Sequence, residues 1–385
     1  MNFTFITIIY DILLMNFLNT ERKEYMAKKV LKTILIILLI IVLLFVGYVI
    51  YVFASYYRLD DNLELEVEGS SSVDTLSIGE TYRITSANLG FGAYSDDYSF
   101  FMDGGTESWA YSEDAVYANI NGSVNSVISL SPDLMLFQEV DIDSTRSYHV
   151  DQKELIISDL ADANIGNVNY TFAQNYDSPF LMYPFTQPHG KSKAGLLTVS
   201  PATITSSIRR SLPIEEGLSK FIDLDRCYCK NYINLDNGKQ LVLYNVHLSA
   251  YTTDPSTAEN QVVMLNEDMT AEVAAGNYVI AGGDMNKDML GDSSAYFGTT
   301  SSANWAQPFP EDLLSDDFSV VGPLDESDPV PSCRNADTPY TEDSFVLTID
   351  GFIVSSNVTV EYSNVLDTGF KYSDHNPVYM DFILE

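Results

Sequence analysis

Five short motifs in this 385-residue chain set a side chain suited to metal or phosphate chemistry at the end of an apolar run. They are LFQEV at 136–140, NVHL at 245–248, GGDMN at 282–286, IDGFIVS at 349–355 and SDHNP at 373–377. A buried strand that stops at Glu, His, Asp or Asn brings a group that is costly to bury to the mouth of a cleft. Glu139 offers hard oxygens of the kind that Mg2+ or Mn2+ takes through one or two carboxylates plus a substrate phosphate. Asp284 and Asn286 stand two apart behind Gly282 and Gly283; that spacing aims both side chains the same way, and the glycines admit close backbone approach. His375 can take a proton from water near neutral pH if a carboxylate holds its other ring nitrogen. Each motif alone has a plainer account, a cap or surface ion pair for Glu139 and a turn for GDMN. Together they point to one active site assembled from strand ends.

Strands and helices must interleave to position those ends. Strands are predicted over Tyr82–Leu89, Leu134–Val140, Gln240–Leu248 and Tyr278–Gly283. A helix is predicted over Ser112–Leu130 from the spacing of Val116, Ile120, Val124, Val127 and Ile128, and another over Pro255–Ala275, ended by Gly276. Composition alone does not separate a sandwich from a doubly wound sheet. Because the motifs are spread from Asn88 to His375 and must meet, residues 81–385 are expected to form one large domain.

In order and type these motifs, with Asn88 closing the first core strand, resemble the endonuclease/exonuclease/phosphatase superfamily and its DNase I-like fold. The similarity runs from about Tyr82 to the C-terminus. It implies an α/β fold of the four-layer α-β-β-α sandwich type and a hydrolase of phosphoric esters that depends on Mg2+ or Mn2+. By this resemblance Glu139 is the principal metal ligand, with Asn88 beside it and Asp374 completing the metal side. Asp284 and Asn286 would orient the attacking water and hold a phosphate oxygen, Asp350 would orient His375, and His247 would stabilise phosphate oxygens or assist the leaving group. His247 also sets the chain apart from the abasic-site endonucleases of the superfamily, which lack a histidine there. Substrate choice would fall to the loops Phe91–Trp109, Asn175–Lys193 and Tyr296–Asp343.

Further candidates for contact with substrate are His189, in a loop before Lys191 and Lys193, and Arg226 and Arg334, each beside a cysteine. If Cys227 and Cys333 are close, both guanidiniums would face the pocket and grip a phosphate bidentately; salt bridges within an acidic protein are the alternative. Cys227 and Cys229 are expected on opposite faces of a strand, so that at most one could bridge to Cys333, and a disulfide stays open. No cysteine spacing suits structural zinc, and His149 is expected at the surface.

Ahead of the domain, the 25 residues from Thr33 to Tyr57 carry no charge and are rich in Ile, Leu and Val. About 20 such residues cross a bilayer, so residues 33–57 are expected to be a transmembrane anchor. Arg22, Lys23, Lys28, Lys29 and Lys32 flank it on the N-terminal side, which would keep residues 1–32 cytoplasmic and place the large domain outside the cell membrane, after an acidic, Ser-rich linker at 58–80. A cleaved secretory signal, with Val52-Phe53-Ala54 at the cleavage site, is the alternative. With 20 Lys and Arg against 54 Asp and Glu, the net charge is −34, and no basic cluster follows Lys32. Such a surface disfavours nucleic acid as partner, because proteins that hold its backbone neutralise several phosphates with Lys and Arg. Three functions follow in order of preference: a surface phosphoesterase, a surface nuclease for DNA or RNA, and a non-catalytic binding module on the same fold.

Overall fold

A computed structural model of the chain describes residues 3–215, 217, 220, 225–250, 254–299 and 305–385. Positions 300–304, within the expected Tyr296–Asp343 loop, and positions 1–2 lie outside them. Two compact units emerge, residues 1–56 and 57–385. The first is one helix, α1 (Phe3–Ser55), containing a stretch from Tyr10 that is long and apolar enough to cross a membrane.

The described residues of the second unit form sixteen strands, numbered in chain order. Two short ones, β1 (Leu63–Glu64) and β2 (Glu68–Gly69), precede β3 (Thr81–Asn88), β4 (Leu134–Asp141), β5 (Asn169–Asp177) and β6 (Lys193–Ser200). Next come β7 (Ile204–Ser211), β8 (Cys227–Asn234), β9 (Gln240–His247), β10 (Tyr278–Asp284) and β11 (Phe318–Val321). The last are β12 (Cys333–Arg334), β13 (Val346–Leu347), β14 (Asp350–Ser355), β15 (Val358–Val365) and β16 (Val378–Leu384). One seven-stranded sheet has the order β1-β7-β8-β9-β10-β14-β11 and the other β15-β16-β3-β4-β6-β5-β2, while β12 pairs with β13 alone.

The helices are α2 (Glu113–Ser129), α3 (Gln152–Asp162), α4 (Pro255–Ala274) and the short α5 (Ser293–Phe297). The Ser112 hydroxyl caps α2 by accepting from the Ala115 amide, and Asp254 caps α4, which opens with proline and is followed by Gly276 at φ 84°. Val116, Ile120, Val124 and Val127 of α2 pack with Ile156 and Leu160 of α3 on Met135, Phe137, Leu197 and Val199. On the far side Val262, Leu265 and Met269 of α4 cover Val242, Tyr244, Val279 and Ile353. Between the sheets lie Ile84, Leu134, Leu136, Leu243, Ile280, Phe352, Met380 and Phe382. The fold is therefore a four-layer α-β-β-α sandwich, as in the DNase I-like fold. All its apolar clusters are built from residues beyond 57, so this unit contains its own core.

Three expectations change. Residues 58–80 are not a free linker: β1 and β2 extend the two sheets, Leu76 is buried, and Arg58 bonds Asp225 at 2.6 Å. Cys227 and Cys229 lie on one face, together with Ala173 and Leu196, because residues two apart in a strand point the same way. All three cysteines are free, and Cys333 belongs to a different cluster from the other two. The Tyr296–Asp343 region is not wholly loop, since β11 joins a sheet edge and β12 brings Cys333 and Arg334 to β13.

A polar seam crosses the apolar interior. The Gln138 amide donates to Asn245 Oδ1 at 2.8 Å, and Asn245 Nδ2 donates to the carbonyls of Leu197 and Phe137, joining the two sheets. Buried amides are tolerated only when paired, and leaving partners unpaired costs more than a hydrogen bond contributes. Asn245→Leu should lower the free energy of urea unfolding by roughly 2–4 kcal/mol, several buried partners being orphaned at once.

Candidate active site

Strand register gathers the polar ends. Asp284 ends β10 opposite His247 of the parallel β9 and opposite Asp350 of the antiparallel β14, so three chemical groups form one row across the sheet rim. Gly283 stands at φ 148°, and a Cβ there would meet the Val246 carbonyl, so only glycine lets β10 lie this close to β9. From the facing sheet, Asn88 at the end of β3 donates to Asp284 Oδ2 at 2.9 Å and to Glu139 Oε1 at 3.4 Å, while its own oxygen accepts from the Gly90 amide at 3.0 Å. Glu139 sits in a bulge where the register of β4 on β6 shifts, and its φ of 55° is rare for a residue with a side chain. Such strain is found where a side chain must be redirected. Here it turns the carboxylate into the pocket.

His375 is held at Nδ1 by Asp350 Oδ2 at 2.8 Å, and the same oxygen accepts from the Ser332 hydroxyl at 2.7 Å. The Ser373 hydroxyl donates to the Asn88 carbonyl and accepts from the His375 amide, fixing the SDH turn to the end of β3. The Nε2 atoms of His247 and His375 lie 3.4 and 3.9 Å from Asp284 Oδ2. Asn286 donates from Nδ2 to the Leu248 carbonyl, and its amide reaches Asp284 Oδ1 at 2.9 Å. A cavity of about 170 Å³ is lined by Glu139, Asp284, Asn286, His247, Asp374 and His375, and also by His189, Arg226 and Arg334. Asn88 and Asp350 stand just behind this wall.

Burial raises the Asp284 carboxyl to about 7; Asp350 adds to the rise, and His375, Asn88 and Arg226 oppose it. Asp374 is also raised, by burial and by the charge of Glu139, against the pull of His375 and Arg334. Burial works against a charged His375, but Asp350 outweighs it and lifts the imidazole well above its ordinary value. His247 moves well below, through burial and the neighbouring charges of Arg226 and His375.

The two arginines differ. Arg226 is buried at the cavity wall with Nε and Nη1 unpartnered among the described residues. Arg334 instead spends Nη1 and Nη2 on the carbonyls of Asn335, Thr338, Tyr94, Ser95 and Tyr98, clamping the loop after β3. Cys227 and Cys333 fall in different clusters, yet both arginines line the cavity; Arg226 leaves Nε and Nη1 without a partner among the described residues, and Arg334 leaves only Nε. His149 is exposed and paired with Asp143. Ser332 and Arg146, the latter buried against Asp141 and the Phe91 ring, escaped the sequence reasoning because neither lies in a motif.

One group of side chains among the described residues could hold a divalent cation. Ligand atoms of Asp284, Asp350 and His375 lie within 4.8 Å of one another. Asp350 and His375, however, already satisfy each other there. Glu139 and Asp374 are hard oxygen donors that line the cavity, and neither forms an ion pair among the described residues. Asn88 turns its amide nitrogen toward the carboxylates, so it orients them rather than offering them an oxygen.

A family model described as the endonuclease/exonuclease/phosphatase family matches residues 86–375. The chain belongs to this family. Its members are hydrolases of phosphoester bonds, usually with a divalent metal, and the match runs from before Asn88 to His375. An endonuclease/exonuclease/phosphatase from Beutenbergia cavernae DSM 12333 is similar in structure, with a TM-score of 0.51 at 16% identity over 79% of this chain and 72% of that one. ANGEL2, a 2',3'-cyclic phosphatase in complex with adenosine-2',3'-vanadate, gives 0.51 at 13% identity over 84% of this chain and 99% of its own. At these identities the likeness shows the fold alone. No curated protein matches the chain.

His189 ties the cavity wall to stability. Burial, helped by the charge of Arg146, pushes it down to about 3. The unfolded chain takes up this proton near pH 6.5, whereas the folded chain does not until about 3, so stability falls as the pH drops between those values. His189→Gln should reduce the difference in urea unfolding free energy between pH 7 and pH 4 by roughly 2–3 kcal/mol relative to the parent chain.

Proposed function

We propose that this protein is a membrane-anchored phosphoesterase that uses a divalent cation to hydrolyse a phosphomonoester or phosphodiester outside the cytoplasm. The observation that carries the reading is the convergence on one cavity of His247, Asp284 and His375, the last held by Asp350 behind it, with the carboxylates Glu139 and Asp374, free of ion pairs among the described residues, and the Arg226 guanidinium. The apolar helix α1 and the basic residues before its uncharged stretch support the anchor and its orientation.

Mg2+ or Mn2+ would be held by Glu139 and Asp374 and would neutralise charge on the phosphate and on the departing oxygen. Arg226 lines the same cavity with Nε and Nη1 unpartnered among the described residues, and its guanidinium would bind a phosphate oxygen. Asp284, raised to about 7 and steadied by Asn88, takes the proton of an in-line water. His375, kept protonated by Asp350, donates from Nε2 to a phosphate oxygen in place of the base role expected from its motif. Neutral His247 lies on the other side of Asp284 Oδ2, and Asn286 shapes the turn below it.

The test is hydrolysis of bis(p-nitrophenyl) phosphate, DNA, RNA, sphingomyelin and inositol phosphates by residues 57–385, which retain the bonds of Arg58 and Leu59 to the domain. Turnover should require Mg2+ or Mn2+ and fall by roughly 100-fold or more in kcat/KM on His375→Ala. Glu139→Gln should raise the metal concentration needed for half-maximal rate by about tenfold or more. Equal inactivity of parent and variants on every substrate would sink the proposal.

A further inference from the structure

The chain has 54 acidic residues, yet the 13 residues 178–190, between β5 and β6, contain no Asp, Glu, Lys or Arg. Their tip is apolar and exposed: Phe185 is 82% and Tyr183 65% accessible, and Met102 across from them is 59%. The rings form a chain, with Tyr183 5.8 Å from Phe101 and 6.2 Å from Phe185 between centroids. Bonds at the base hold the tip out. Ser108 Oγ donates to the Gln187 carbonyl at 2.6 Å, Trp109 Nε1 to the Pro188 carbonyl at 2.7 Å, and Leu181 and Gly190 exchange amide bonds at 3.0 Å. This rim is continuous with the catalytic cavity, since Met102, Phe100 and His189 line it.

An apolar projection held rigidly in water is costly unless something covers it. Amphipathic rings without charge are what the interfacial zone of a bilayer accepts. A chain of net charge −34 is repelled by anionic lipid and is not repelled by a zwitterionic surface. We propose that Tyr183, Phe185 and Met102 form a docking rim that seats the catalytic cavity on a zwitterionic phospholipid surface. The inference rests on the membrane-bound phosphoesterase proposed above, and it brings the phosphoesters of an interface within reach of that site.

Residues 57–385 should cosediment with phosphatidylcholine vesicles, and Tyr183→Ser/Phe185→Ser should lower the partition coefficient at least tenfold while leaving the melting temperature and hydrolysis of soluble bis(p-nitrophenyl) phosphate as in the parent. Binding that the double variant leaves unchanged, binding to phosphatidylglycerol vesicles alone, or no binding by an active parent would each overturn the docking rim. So would a loss of kcat/KM on the soluble ester without loss of vesicle binding, which would make the rim a subsite for an aromatic leaving group. Failure of the parent on soluble ester with vesicle binding intact would count against the phosphoesterase and leave the rim standing.

Discussion

Asn88 and Asp284 end strands of different sheets, and the 2.9 Å bond between them closes the sandwich at its catalytic rim. It is the outermost rung of a polar ladder. Further rungs are Gln138 to Asn245 and Thr171 to Asn231, whose Oδ1 also accepts from Ser207 of its own sheet. Among apolar neighbours these groups must all be paired, so a slip of one sheet against the other would strand several at once. The ladder thereby fixes the register in which His247, Asp284 and Asp350 meet Glu139 and Asn88. Apolar packing of Leu136 against Gly282 and Phe352 supplies bulk adhesion, but it is far less selective of register.

The electrostatics of the cavity follow from that closure. Asp284 is buried among two imidazoles, an amide and a second carboxylate, so its proton affinity rises while Asp350 keeps His375 charged. Arg226 leaves Nε and Nη1 without a partner among the described residues, whereas Arg334 gives Nη1 and Nη2 to backbone carbonyls and leaves only Nε. The cavity thus sets the acidic side chains of Glu139, Asp284 and Asp374 against the cationic Arg226 within a chain of net charge −34.

Much of the scaffold was legible before any coordinates. Helix α2 falls within a residue of its expected ends because the Val116-to-Val127 spacing is helical, and α4 does so because Gly276 ends it; the capping bonds of Ser112 and Asp254 emerged only in the structure. Strands β3, β4, β9 and β10 also fall where apolar runs stop at polar ends. What escaped depends on partners far away in sequence. β1 and β2 are two residues each and exist only as edges to β7 and β5, and β11 is paired with β14 across a stretch that reads as loop.

The sequence by itself determined the periodicities, the order of the polar strand ends and the uncharged apolar stretch from Thr33, because these depend on residues a few positions apart. Only the tertiary structure decided which groups are satisfied. It turned the Asn88 amide toward two carboxylates, tied Nη1 and Nη2 of Arg334 to a loop, and set Asp350 beside His375, which raises the proton affinity of the imidazole. Hydrogen-bond partners and proton affinities are set by neighbours in space and by exclusion of water, and neither is written in local spacing.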